Sequence, residues 1–336
     1  MATNSKMKNG SRSNNILNKV LNFDEFGVFS GLLVIVLLLT FTAPGKFASA
    51  NNLLLVLRQA TSMGIMALGM VFVISMGDID LSVGSIYNVV LIMTTWLMTE
   101  AGGSLNVWLA VFLGLVVGAF CGFINGILLI GLKIPAIVVT LGTMSIFRGI
   151  GLVICQSRPI YQFPKDNFFF NVLGGNFGRI PAAVVIWFVA AFFLYILFSR
   201  TAFGRRICAI GGNLQAAKFA GIRVERTRLL VMMLNGFVTS IAALAALAFH
   251  EASDPSLGTG YEMFAIASAI IGGTALSGGK GSILGAIFGA LIIAVIRNGV
   301  VIVGLNIYWN NTVTGAVIII AVAVDYFVKR RSKAMA

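Results

Sequence analysis

The chain has 336 residues, of which 58% are hydrophobic and only 10% are charged, whereas a soluble domain carries about 25% charged residues. A mean hydropathy of +0.97 excludes an ordinary water-soluble protein and places most of the chain in a lipid bilayer. The formal net charge of +13 matches the excess of Lys and Arg in cytoplasmic loops of membrane proteins, so no nucleic acid partner is expected.

Long apolar segments predict an all-α polytopic protein with about ten transmembrane helices. Residues 1–26 are expected to form a cytoplasmic N-terminal tail, 27–328 a transmembrane domain, and 329–336 a cytoplasmic C-terminal tail. A span needs about 20 apolar residues, and the second, third and eighth segments are weak or short by a strict length rule. The segments lie at about 28–44, 54–76, 83–98, 107–131, 134–155, 181–198, 229–249, 263–276, 283–304 and 312–328.

The loop charges predict the orientation. Both tails are basic, which puts both termini in the cytoplasm and requires an even number of spans. The loop at 199–228 has seven Lys and Arg residues against one acid, Glu225, so we expect it in the cytoplasm. The loop at 250–262 has three acids and no Lys or Arg, so we expect it outside.

Two glycine-rich stretches suggest an internal repeat. "NGILLIGLKI" (Asn125–Ile134) resembles "NGVVIVGLNI" (Asn298–Ile307) at an offset of 173, which also carries Gly142 onto Gly315. Five spans separate the copies, so they have opposite orientations, as in the inverted repeats of many transporters. Chance similarity between two stretches of Ile, Leu, Val and Gly is the alternative.

The basic loop contains a short, capped helix. In "GGNLQAAKFAGI", Asn213 suits the N-cap and Gly221 the left-handed C′ position. A two-turn helix is marginal in water, so this one must pack against something, either its own chain or a cytoplasmic partner. For a partner, Ala216 and Ala217 give close approach, and Leu214 and Phe219 give apolar contact. The candidate segment is Gly212, Asn213, Leu214, Gln215, Ala216, Ala217, Lys218, Phe219, Ala220 and Gly221.

Two aspartates, Asp78 and Asp80, lie between the second and third spans. An acid inside the hydrocarbon is costly and commonly faces a cavity or a partner, which favours a broken helix lining a pathway. The alternative is a turn in which Asp80 is the N-cap of the third span. Candidates for the pathway or the helix break are Asp78, Asp80, Ser82, Asn125 and Asn298.

Catalytic, cofactor and metal patterns are absent from the sequence. "GGTALSGGKGS" (Gly272–Ser282) resembles a phosphate-binding loop but has Thr274 and Gly281 where that loop requires Gly and Ser or Thr. The three cysteines have no metal-ligand spacing, and His250 is the only histidine. We therefore expect a protein that is not an enzyme and has no cofactor and no ATPase site of its own.

Four motifs occur in a specific order along the chain: Gly77–Ser85 ("GDIDLSVGS"), Asn125–Gly149, Thr201–Ile222 and Gly272–Ala290. With them the chain resembles, over about residues 27–328, the permease subunit of bacterial ribose/xylose/galactoside-type ABC importers. The resemblance implies a multi-pass protein of the bacterial inner membrane that forms the pathway for a ribose-like pentose or a related sugar. Such families often have glycine at the position of Asp78, and Asp80 is the matching acid.

The resemblance also implies partners. These are a cytoplasmic subunit with two ATP-binding cassettes, a second permease copy or a paralogous permease, a periplasmic sugar-binding protein and membrane lipid. The helix at 213–220 matches the family's coupling helix, which contacts the ATPase. The alternatives are an ion-coupled secondary carrier, in which Asp78 and Asp80 would titrate, and an ABC permease for nucleosides or branched-chain amino acids.

Overall fold

A computed structural model describes residues 25–306, 308–310, 312–317, 319–320 and 323. Helices make up most of this part of the chain, and two two-residue strands, Asn176–Phe177 and Ile180–Pro181, form its one antiparallel hairpin. The helices are α1 (Phe26–Thr42), α2 (Ala50–Ser75), α3 (Val83–Met98), α4 (Val107–Leu132), α5 (Ala136–Ile154), α6 (Ala182–Arg200), α7 (Ala202–Gly212), α8 (Leu214–Phe219), α9 (Val224–His250), α10 (Tyr261–Ile271) and α11 (Ile283–Ile302).

The helices agree with the spans predicted from the sequence. The first nine predicted spans coincide with α1–α6 and α9–α11, and the tenth lies partly outside the described residues. Six helices (α2, α4, α5, α6, α9 and α11) are long and apolar enough to cross a bilayer, while α1, α3 and α10 are apolar but shorter. The prediction of an all-α polytopic membrane protein is therefore confirmed.

Two details differ from the prediction. The second span is not short, because α2 begins at Ala50 and runs for 26 residues. Its polar first turn, Ala50–Asn52, hides this start from a hydropathy window, and the Ser49 hydroxyl accepts from the Asn52 amide to fix it. The second difference is α7, an extra helix in the basic loop, which the same window misses because it includes Arg205 and Arg206.

The core lies around α2 and α9. Every residue of α2 from Met63 to Ser75 is buried, and α2 packs against α6, α9, α10 and α11. Close packing between α4 and α9 depends on glycine: a Cβ at Gly118 would lie 2.6 Å from the Gly236 carbonyl oxygen, and one at Gly122 would lie 2.1 Å from that of Met232. Small residues at four-residue spacing let membrane helices approach in this way.

The contacts between helices follow the suggested repeat. An offset of 173 carries α2, α3 and α4 onto the regions of α9, α10 and α11. Three interfaces have counterparts under this offset: α4 packs on α9 as α11 packs on α2, α3 on α9 as α10 on α2, and α3 on α4 as α10 on α11. Gly84 and Gly258, nearly the same offset apart, approach each other reciprocally, since a Cβ on either would lie 2.3 Å from the other's carbonyl oxygen.

The predicted orientation gives a labelling experiment. A cysteine at Ser256, exposed in the acidic loop, is expected to react with a membrane-impermeant maleimide added to intact cells, whereas one at Gln215, exposed on α8, is expected to react only after permeabilisation. Cys121 and Cys155 are buried; Cys208 is half-buried, and burial raises the pKa of its thiol, so a Cys208→Ser background removes the remaining signal. Labelling at Gln215 from outside would overturn the orientation.

Candidate coupling site and the break between α2 and α3

The short helix of the basic loop is present and capped as predicted. Asn213 is the N-cap of α8, and its side-chain oxygen accepts from the Ala216 amide at 3.0 Å. At the other end Gly221 has φ +77°, and the Gly221 and Ile222 amides donate to the Lys218 and Ala217 carbonyls. The cap and the stop are both local, so the sequence marks both ends of this helix, while packing against the subunit supplies the rest of its stability.

The outer face of α8 differs from the predicted contact set. Ala217 is 3% exposed and belongs to the protein core, and Leu214 packs against that core. The two are three residues apart and therefore share the inner side of the helix. Phe219, by contrast, is 90% exposed. A partner would therefore meet Phe219 with Gln215, Ala216 and Lys218, whereas Ala217 is buried in the subunit and Leu214 is only partly exposed.

Behind α8, three backbone segments meet without side chains between them. The Gly279 amide donates to the Ser75 carbonyl at the end of α2, at 2.8 Å. Gly211, in the last turn of α7, is pressed between the two: a Cβ there would lie 2.0 Å from the Ser75 oxygen and 2.6 Å from the Gly279 nitrogen. The glycine-rich stretch after α10 thus serves as a packing surface for the basic loop, and α7 contacts the end of α2 through backbone atoms.

The chain breaks between α2 and α3 immediately after this contact. Gly77 has φ +88°, a left-handed conformation that favours glycine, and it turns the chain out of the helix. Asp78 follows and makes a two-pronged ion pair with Arg228 in the second turn of α9, with both nitrogen–oxygen distances at 2.8 Å. The carboxylate is 5% exposed. The ion pair therefore links the break to α9, the helix that follows α8 in the chain.

Asp80 occupies the centre of a buried polar network. Its Oδ1 accepts from the Ser82 amide at 2.8 Å and from the Ser82 hydroxyl at 2.6 Å, and its Oδ2 accepts from the Asn235 side-chain amide at 2.9 Å. Asn125 of α4 donates to the Ser82 hydroxyl at 2.7 Å. Thr140 of α5 accepts from the Leu81 amide. The break is therefore held by α4, α5 and α9 at once.

This geometry changes the expected role of Asp80. The N-cap of α3 is Ser82, and Asp80 precedes it by two residues, so Asp80 stabilises the turn before the helix instead of capping the helix itself. Asp80, Ser82 and Asn125 are all fully buried within the subunit, so none of them faces an open surface here. Asn298, the fifth candidate, lies apart from them, where it exchanges two side-chain hydrogen bonds with Asn52.

Substitutions of Asp80 distinguish whether its hydrogen bonds or its negative charge are required. Asp80→Asn is expected to keep most stability and transport, because the side-chain oxygen of Asn235 has no partner and can accept from the new amide after a flip. Asp80→Ala leaves buried donors unpaired, at about 1–3 kcal/mol each, and is expected to lower both thermal stability and uptake. The measurement is the unfolding temperature and uptake at equal membrane abundance. An Asn variant as impaired as Ala would show that the charge itself is required.

Three residues of this site were not among the sequence-predicted candidates: Arg228, Asn235 and Thr140. Arg228 was visible only as one of seven basic residues in a loop, and its partner lies 150 positions away. Asn235 and Thr140 are polar residues within apolar spans, which is the one signal that could have marked them. Among the described residues no group of three or more His, Cys, Asp or Glu side chains could hold a metal ion.

Comparison with known proteins agrees with this architecture. Residues 52–322 match the family model described as "branched-chain amino acid transport system / permease component". The chain is 36% identical to the ribose import permease protein RbsC of Bacillus subtilis, over 91% of this chain and 95% of that one. It is 35% identical to the D-allose transport system permease protein AlsC of Escherichia coli, over 98% and 100% of the two chains. It is 33% identical to the xylose transport system permease protein XylH of the same species, over 94% of each.

The chain therefore belongs to this family of permease components. Together with six helices that can cross a bilayer, membership makes it a multi-pass transport subunit of the inner membrane. No solved structure matches the chain.

Proposed function

We propose that this chain is the permease subunit of an ATP-binding-cassette importer whose solute is a monosaccharide of the ribose, allose or xylose kind. The observation that carries the proposal is near full-length similarity to permeases named for three different sugars. The three sugars differ in length and stereochemistry, so the similarity supports the class of solute and leaves the choice within the class to experiment.

The proposed energy source is a cytoplasmic ATPase with two cassettes that docks on α8. Phe219 supports this role, because its aromatic side chain is 90% exposed on a capped helix and is therefore available to a partner. Movement of a cassette would reach the membrane by two routes: through Gly211 to the end of α2, and through α9 and the Arg228–Asp78 ion pair to the break after α2.

A second permease subunit, identical or paralogous, and a periplasmic sugar-binding protein complete the proposed assembly. Exposed apolar side chains on α4, α5 and α6 support burial of these faces against lipid or the second subunit; they include Phe112, Phe120, Ile146, Phe192 and Phe193. Because much of their apolar surface is exposed in the single chain, these helices cannot face water in the assembly.

The alternatives receive less support. A proton-coupled carrier needs a titrating acid facing a pathway, but Asp80 is enclosed by hydrogen bonds and Asp78 by Arg228. Transport of branched-chain amino acids appears in the description of the family model, whereas the three relatives above are named for sugars.

Solute competition tests the proposal. In cells that express this permease with its genomic neighbours as the only route for pentose entry, uptake of labelled ribose, xylose and allose is measured against an excess of unlabelled leucine or adenosine. We expect uptake of at least one labelled sugar that neither leucine nor adenosine suppresses. Absence of uptake of every sugar, or suppression of sugar uptake by leucine or adenosine, would contradict the proposed solute class.

A further inference from the structure

A cavity of about 460 Å³ lies inside the subunit, at the end opposite to α8. Its walls come from α2, α9 and α11, with Tyr87 of α3 and Tyr261 of α10. The residues from α9 belong to its last turns, near His250, whereas Arg228 and the coupling helix are at its start. With the predicted orientation, this cavity opens toward the outside. Binding cavities for small molecules span about 300–1,000 Å³, so the volume accommodates a monosaccharide.

Two guanidinium groups reach the cavity, each supported by an aromatic ring. Arg58 lies 4.0 Å above the ring centre of Phe249 and donates to the Asn176 side chain at 2.8 Å. Arg297 lies 4.4 Å above Phe264, and its only other side-chain partner within the described residues is the sulfur of Met63, at 3.5 Å. Neither arginine forms an ion pair in the part of the chain that is described. A guanidinium has five N–H donors, so Arg297 retains donors for a ligand.

An unsatisfied acceptor faces the same space. Asn310 lines the cavity, is 8% exposed, and its side-chain oxygen has no hydrogen-bond partner within the described residues. The nearby Asn298 amide is held by its double hydrogen bond to Asn52 at 3.0 and 2.9 Å, which makes that wall rigid. A buried polar atom without a partner is uncommon and suggests that a ligand supplies the missing donor.

The arginine donors and the unpartnered Asn310 oxygen together restrict the chemistry of the ligand. A carboxylate would satisfy the arginine donors but has no proton to give to the Asn310 oxygen. A hydroxyl both donates and accepts, so several hydroxyls on one small ring can satisfy both kinds of group. Tyr261 is partly exposed and adds aromatic surface to the cavity, and the buried Tyr87, with its ring centre 5.3 Å away, backs it.

We propose that this cavity is a monosaccharide-binding site within each permease subunit, in which Arg297 donates to sugar hydroxyls and Asn310 accepts from one. The site rests on the proposed sugar-transport function and adds a place within a single subunit where the solute is held. It requires neither the ATPase nor the binding protein, which makes it measurable on the permease alone.

The test is sugar binding to the purified permease in lipid nanodiscs without partner subunits. Ribose, xylose and allose are the probes, and saturation-transfer NMR is the readout. We expect saturable binding of at least one sugar, weakened about tenfold or more by Arg297→Met and by Asn310→Leu, which corresponds to the loss of one or two hydrogen bonds. Arg158→Met, an exposed arginine of the loop before α6, is the matched control and is expected to bind as the wild type does.

Failure of the site and failure of the proposed function give different results. Absence of saturable binding to wild-type permease, while cells take up the sugar, would overturn the site and leave the transport function intact. Stronger binding of gluconate than of the neutral sugars would overturn it in favour of an anion site. Unchanged binding in both variants would also overturn it. If one of the two variants unfolds at a lower temperature than the wild type, the other variant, provided that it keeps the wild-type unfolding temperature, is sufficient to decide whether the cavity binds sugar.

Discussion

Replacement of Phe219 by aspartate is expected to abolish ATPase assembly while the permease inserts and folds normally. The side chain is 90% exposed in the subunit, so the fold loses almost nothing. In the assembled importer the substitution would remove a buried aromatic contact, worth about 1.5–3 kcal/mol, and place a carboxylate in a desolvated interface. A combined loss of roughly 3 kcal/mol weakens binding about 100-fold. The measurement is the amount of ATPase that co-purifies with a tagged permease.

Phe177→Asp is the matched control for this prediction. Phe177 is 51% exposed in the hairpin between α5 and α6, which the predicted topology places on the other side of the membrane from α8. It is expected to retain the ATPase. Full co-purification with the Phe219 variant, or equal loss in both variants, would contradict docking on α8.

Separation of Asp78 from Arg228 is expected to cause the second large effect. Asp78→Ala or Arg228→Ala leaves one charge largely buried without its partner, at a cost of about 3 kcal/mol in unfolding free energy. Uptake is expected to fall further than stability, because the pair also links α9 to the break. The double variant Asp78→Asn/Arg228→Gln removes both charges while it keeps the shape, and it should recover stability but less of the uptake.

Lys165→Ala provides the comparison for this ion pair. Lys165 and Glu251 are 3.8 Å apart with exposed fractions of 36% and 47%, and exposed pairs of this kind contribute about 0–1 kcal/mol. The measurements are the unfolding temperature and the uptake of every variant, compared at equal membrane abundance. If Asp78→Ala changes unfolding temperature and uptake as little as Lys165→Ala does, the Asp78–Arg228 ion pair does not stabilise the break between α2 and α3.

Local signals in the sequence predict much of this fold. Nine spans follow from runs of apolar residues, and α8 follows from Asn213 and Gly221, since caps act over four or five residues. The amphipathic helix α7 and the polar first turn of α2 were not predicted because hydropathy averages them with their neighbours. The predicted internal repeat rested on one short similarity, and the matching helix interfaces give it a structural basis.

The candidate site was less predictable, because its contacts join distant positions. Asp78 and Asp80 stood out as acids beside apolar runs, but their partners Arg228 and Asn235 lie 150 and 155 residues away. The inner and outer sides of α8 could not be separated in the sequence, since Leu214 and Phe219 are both apolar and only the packing of the loop covers part of the first while it leaves the second 90% exposed. The contact of Gly211 with Ser75 leaves no side-chain signature, because it is made by backbone.

ATP-driven uptake by a purified, reconstituted importer tests the central claim most directly. Proteoliposomes that contain this permease and its ATPase, loaded inside with ATP, receive labelled sugar and the binding protein outside. The account predicts accumulation that requires enclosed ATP, disappears with a non-hydrolysable analogue, persists with a protonophore, and is lost with Phe219→Asp. Accumulation without ATP, driven by an imposed proton gradient and abolished by a protonophore, would contradict it and would identify an ion-coupled carrier instead.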